Sequence, residues 1–190
     1  MSMLCRLTSA SVEQVRELLK DPSYITRFLF GVPPPTIRSR LLALLTRSSP
    51  PEPRWLTTPA SVHYDLEKAW DGVRFLLTGV TNCDADPFPG GFLAAGGQHI
   101  GTQDLGYGPA RAFTPSEVLI INDYLAGQSP ASLEARFDPV RFSSQHIYPS
   151  MIWHRERMHT IGWLVEHFVN LRQFIEAAAG RGDGVIIHLS

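Results

Sequence analysis

Apolar residues recur at helical intervals over most of this chain and alternate at strand intervals only briefly. The cleanest stripe lies in YDLEKAWDGVRFLLTG, residues 64–79. There Leu66, Ala69, Trp70, Val73, Leu76 and Leu77 fall at i, i+3, i+4, i+7, i+10 and i+11. Asp65 stands where an N-cap is expected and Gly79 where a left-handed C-terminal residue is expected, so this stretch reads as one helix. Ser11 and Gln14 have capping-box spacing ahead of Val12, Val15, Leu18 and Leu19. Asp21-Pro22 ends that helix and starts another, with Tyr24, Ile25, Phe28 and Leu29 on one face and Gly31 as its stop. Thr114-Pro115-Ser116-Glu117 combines a capping box with proline at the first helical position and predicts a helix to about Ala126. Two short helices split at Asp138-Pro139 follow, closing at Pro149. The longest helix is expected from Met151 to Ala179, with Met158, Ile161, Leu164, Val165, Phe168, Leu171 and Ile175 inward.

Strand signals are few: residues 2–7, a short piece at 98–100, ARAF at 110–113, and the β-branched VIIHL at 185–189. Widely separated strands with many helices between them predict an α+β domain. The expectation is a single helix-rich domain spanning 1–190 around a small sheet of about three or four short strands. Residues 31–60 differ in kind, because seven of the 15 prolines fall there and proline removes amide donors. The basic amphipathic stretch TIRSRLLALLTR lies between the proline clusters and reads as a helix in a variable insertion.

Composition narrows the function classes. A chain of 190 residues with 44% hydrophobic and 18% charged residues can bury a substantial core. A net charge of -1 offers no field for nucleic acid or anionic membranes. No run is long and apolar enough for a membrane span, and the first residues lack a signal-peptide pattern, so a cytoplasmic location is expected. Cys5 and Cys83 have no CxxC spacing, which supports neither a disulfide framework nor a zinc site.

No strong catalytic or nucleotide-binding motif occurs. His154 and His159 are five apart and face different ways, and the Glu156-His159 pair lacks the companion carboxylates of a di-iron site, so no metal is expected. Arg155 and Arg157 begin the long helix, the end at which cations are disfavoured. In GTQDLGYGPARAFTPSEV, residues 101–118, Gly106 and Gly108 resemble a dinucleotide loop. The third position is Arg111, however, and Pro109 removes an amide, so no nucleotide cofactor is expected. What remains is a rigid loop presenting Asp104, Tyr107 and Arg111. These suit a small polar ligand or a protein partner, or Arg111 and Asp104 bracing each other.

The motifs D-x-x-K-x-W at Asp65, Lys68 and Trp70, L-T-G at 77–79, Ile-Tyr-Pro at 147–149 and the 101–118 stretch together resemble the YfbM-like family of bacterial proteins, a domain of unknown function. The resemblance runs through nearly the whole chain, with 31–60 as its variable part. It implies a compact α+β fold and brings no activity, substrate or cofactor with it. Matched positions that composition does not require, Asp65, Trp70, Asp104, Tyr107, Arg111 and Tyr148, form the candidate binding site. The expected function is a non-catalytic binding or protein-interaction module, its partner a protein or small polar ligand. The alternative is a hydrolase or transferase built around Asp65, Asp104 and Arg111.

Overall fold

The computed structural model describes residues 2–31, 53–57, 61–82, 87–154 and 157–190. The TIRSRLLALLTR stretch, Cys83 with its neighbouring aspartates, and Arg155 lie outside the described residues. A five-stranded antiparallel sheet runs through the molecule, with strands β1 (Cys5–Ala10), β2 (His63–Glu67), β3 (Gln98–His99), β4 (Arg111–Phe113) and β5 (Gly184–Leu189). Their spatial order is β2-β1-β5-β4-β3, so the first and last strands of the chain pair at the centre.

Helices cover both faces. Strand β5 alternates between them, with Val185 and Ile187 in a large cluster and Ile186 in a smaller one. The large cluster is built by α4 (Trp70–Thr78), α5 (Pro115–Ala126), α6 (Pro130–Arg136), α7 (Pro139–Ser144) and the long α8 (Arg157–Arg181). The smaller one lies under α1 (Val12–Lys20), α2 (Ile25–Phe30) and α3 (Arg54–Thr57).

The start signals form as the spacing predicts. Ser11 and Thr114 each close a capping box, with Gln14 and Glu117 respectively, and Gly79 ends α4 at φ 69°. Two expectations are corrected. The sheet has five strands because residues 63–67 are extended, pairing with β1 as an edge strand. Its stripe was ambiguous because Leu66, the one fully buried residue of β2, extends the helical face of α4 equally well. Asp65 therefore caps no helix. Its Oδ1 accepts from the Glu67 amide at 2.8 Å, stabilising the turn that leads from β2 toward α4. The long helix also starts later than expected, since Met151–His154 form a turn that buries Trp153 and bonds its indole to the Ile147 carbonyl.

Candidate functional site

The register of the three strands at one side of the sheet sets a polar row. Arg6 on β1 stands opposite Asp65 on β2 and His188 on β5. One step along, Thr8 stands opposite His63. Because side chains alternate across a sheet, these residues share the face opposite the large core. Helix α2 ends over them, and its Leu29 and Phe30 supply the apolar wall of a cleft of about 270 Å³.

Most polar groups in the cleft are spoken for. The Arg6 Nε donates to Asp65 Oδ2 at 2.9 Å, and Arg6 Nη1 donates to the Ser190 hydroxyl. The Thr8 hydroxyl lies 3.0 Å from His63 Nδ1. His188 is the exception. It is 4% exposed, and neither ring nitrogen has a hydrogen-bond partner among the described residues, although the ring packs edge-on against Phe30. Burial, and secondly the Arg6 guanidinium, push its pKa down to about 4, so the ring is neutral near pH 7. A neutral imidazole offers one donor and one acceptor.

A second concavity, of about 210 Å³, opens on the other face beside the 101–109 loop and is lined by His99, Tyr107, Pro109 and Arg111 among others. Register explains it too, because His99, Arg111 and Ile187 form one row across β3, β4 and β5. The loop is pinned against the end of β5. The Tyr107 amide donates to the Leu189 carbonyl, and a Cβ on Gly106 (φ +135°) would lie 2.8 Å from Ser190 Cα.

The six residues picked from sequence therefore separate into three places. Asp65 lines the cleft, and Tyr107 and Arg111 share the loop-side pocket. Asp104 and Arg111 do not brace each other. Asp104 Oδ1 accepts from the Gly106 and Gly108 amides at 2.8 and 2.9 Å, which holds its carboxyl below the usual carboxylate range. Arg111 reaches inward instead, donating to the carbonyls of Phe92, Leu93 and Gly96. Trp70 and Tyr148 are packing partners, their ring centroids 6.4 Å apart. Asp65, Asp104 and Arg111 thus line no common pocket. Sequence reasoning missed Arg6, Thr8, His63 and His188. The available signal was His188 itself, a lone polar residue on the Ile186 side of an otherwise apolar strand.

Residues 1–188 match a family described as a domain of unknown function (DUF1877). The chain belongs to this family. It is also similar to a crystal structure of YfbM from Escherichia coli, a protein of unknown function. The match has 16% sequence identity, covers 98% of this chain and 99% of that one, and has a TM-score of 0.62, a likeness of fold. No curated protein matches. Several residues behind the DUF1877 resemblance hold the fold together. The Tyr148 hydroxyl accepts from the Met3 amide at 2.9 Å, and the Tyr148 amide donates to Asp71 Oδ2 at 2.8 Å. Trp70 is buried, its indole N–H without an acceptor among the described residues. No cluster of three or more histidine, cysteine or acidic side chains suited to a metal occurs among the described residues, and no described helix is long and apolar enough to cross a membrane.

Proposed function

We propose that this DUF1877 chain is a non-catalytic module that binds a small, uncharged, partly apolar molecule in the cleft between α2 and the sheet. The observation that carries this reading is His188. Its ring is buried in the cleft lining with a donor and an acceptor both unused by the described residues. Leaving such groups unpaired costs about 1–3 kcal/mol, a cost that a ligand hydroxyl or carboxamide would remove. Charge supports the choice of a neutral ligand. Arg6 and Asp65 already neutralise each other, so a charged guest would enter without a counter-ion. Leu29 and Phe30 provide the apolar side, and the cleft volume fits a small molecule.

The hydrolase or transferase alternative has weaker support. A general base works best near the operating pH, and a ring titrating near 4 is a poor base at neutrality. Asp65 has both carboxylate oxygens engaged, one by Arg6 and one by the Glu67 amide.

The test is an NMR titration of the chain with benzamide and butyramide, following the His188 ring nitrogens and the Arg6 and Phe30 amides. Saturable shifts at those positions that disappear in His188→Leu are expected. Shifts that leave this cleft untouched, or that persist in His188→Leu, would refute the reading.

A further inference from the structure

The loop-side pocket meets the cleft at His188 but is built around a different group, Arg111. Arg111 is 8% exposed, and no carboxylate pairs with it among the described residues. Its three hydrogen bonds all go to backbone carbonyls, two from Nη1 and one from Nη2. A guanidinium has five N–H donors. Nη1 has spent both of its own, so one N–H on Nη2 and the N–H on Nε are left over. Both remaining donors belong to a charged group and can bond a guest oxygen.

Carbonyl dipoles solvate the cation but leave its charge uncompensated, and a buried charge calls for an opposite one. The nearby groups among the described residues do not supply it. Cys5 is fully buried and its thiol is pushed up to about 12, so it stays protonated. The Asp104 carboxylate is turned to the loop amides. Beside Arg111 the pocket offers the half-exposed Tyr107, the exposed His99, and the apolar Ala94 and Leu189.

We propose that the loop-side pocket is a binding site for a small monocarboxylate, held by the donors that Arg111 does not spend on backbone carbonyls, with Tyr107 and His99 at its mouth. One cation and about 210 Å³ limit the guest to a single carboxylate on a short body. The 101–109 loop, kept in place by Asp104 and by Gly106 against β5, forms the rim.

The experiment titrates the full chain with sodium acetate and sodium benzoate at constant ionic strength, reading the Arg111 Nε–H resonance. Acetamide and benzamide are run in parallel. Saturable downfield movement with the carboxylates and none with the amides is expected. Ala94→Leu, which narrows the pocket without touching the three carbonyl bonds of Arg111, should weaken carboxylate binding about tenfold or more while the melting temperature holds. The proposal is overturned by an Nε–H signal that drifts linearly with salt, by equal responses to amide and acid, or by unchanged affinity in the folded Ala94→Leu chain.

Discussion

Burial and the Arg6 cation hold His188 near a pKa of 4, whereas the same imidazole in an unfolded chain titrates near 6.5. The folded state therefore binds its proton less readily than the unfolded state. Stability from this group is complete above pH 6.5, falls as the pH drops, and has been lost by about pH 4. The span allows a loss of at most about 3 kcal/mol, with Arg6 and His63 opposing protonation and Asp65 favouring it. Urea unfolding of the wild type and of His188→Leu at pH 7 and pH 4.5 checks this. The variant should lose markedly less on acidification, and equal losses would remove His188 as the cause. Asp104 has the opposite chemistry and a local effect. Its carboxylate caps two exposed amides, so its contribution is present at neutral pH and fades as the carboxyl is protonated. In Asp104→Ala the Gly106 and Gly108 amides should exchange far faster, with little change in melting temperature. A fall of many degrees would mean the loop supports the core.

Helix α4 shows what an element asks of its neighbours. A glycine inside a helix ordinarily costs about 0.5–1 kcal/mol relative to alanine, so Gly72→Ala should stabilise on propensity alone. Packing decides otherwise. A Cβ at Gly72 would lie 2.7 Å from Leu164 Cδ2 and 2.9 Å from the Trp153 ring, both in the large cluster. Overpacking of this kind costs about 1–3 kcal/mol, and a net destabilisation of Gly72→Ala in guanidinium unfolding is the expected result. One position earlier, Asp71 pairs with the fully buried Arg74 at 2.7 Å and also receives the Tyr148 amide. Removing it takes a carboxylate away from a buried cation that also donates to the Val80 carbonyl, so Asp71→Ala should cost about 3–5 kcal/mol. Loss below about 1 kcal/mol would show that the other contacts of Arg74 hold it without the carboxylate.

The same element marks where sequence stopped being enough. Caps at Ser11, Thr114 and Gly79 were legible because each is a local chemical event, a side chain or a left-handed glycine satisfying nearby backbone groups. Strand β2 was not, because His63–Glu67 has one buried apolar residue and becomes a strand only through its partner β1. The site followed that division. Asp65 and Arg111 could be picked by residue type, but their partners could not. Arg6 meets Asp65 and His188 through strand register across most of the chain, and Arg111 meets three carbonyls of a loop about 15–19 residues away. Asp104 and Arg111, seven apart in one loop, were a reasonable pair from spacing alone. The strand direction at β4 turns Arg111 into the core and leaves Asp104 on the rim.

At the scale of the whole molecule, β5 is shared by both helical layers, as are its neighbours β1 and β4. Its Val185 and Ile187 pack into the large cluster, its Ile186 packs into the small one, and its His188 borders both concavities. It pairs with β1 over six residues, so the centre of the sheet closes only when the two ends of the sequence meet. Such non-local pairing couples the layers, because neither face can keep its strand without the other. Ile187 is 1% exposed, and Ile187→Ala should cost about 2–5 kcal/mol from lost burial and the cavity left behind. The distinguishing measurement is native-state hydrogen exchange on both faces. If the sheet is a single cooperative unit, amides of α1 beneath the small cluster should lose as much protection as those of α5 and α8, although Ile187 touches only the latter side. Protection retained in α1 while α5 and α8 open would mean that the two layers unfold separately. The cleft under α2 could then open to admit a ligand while the large core stays closed.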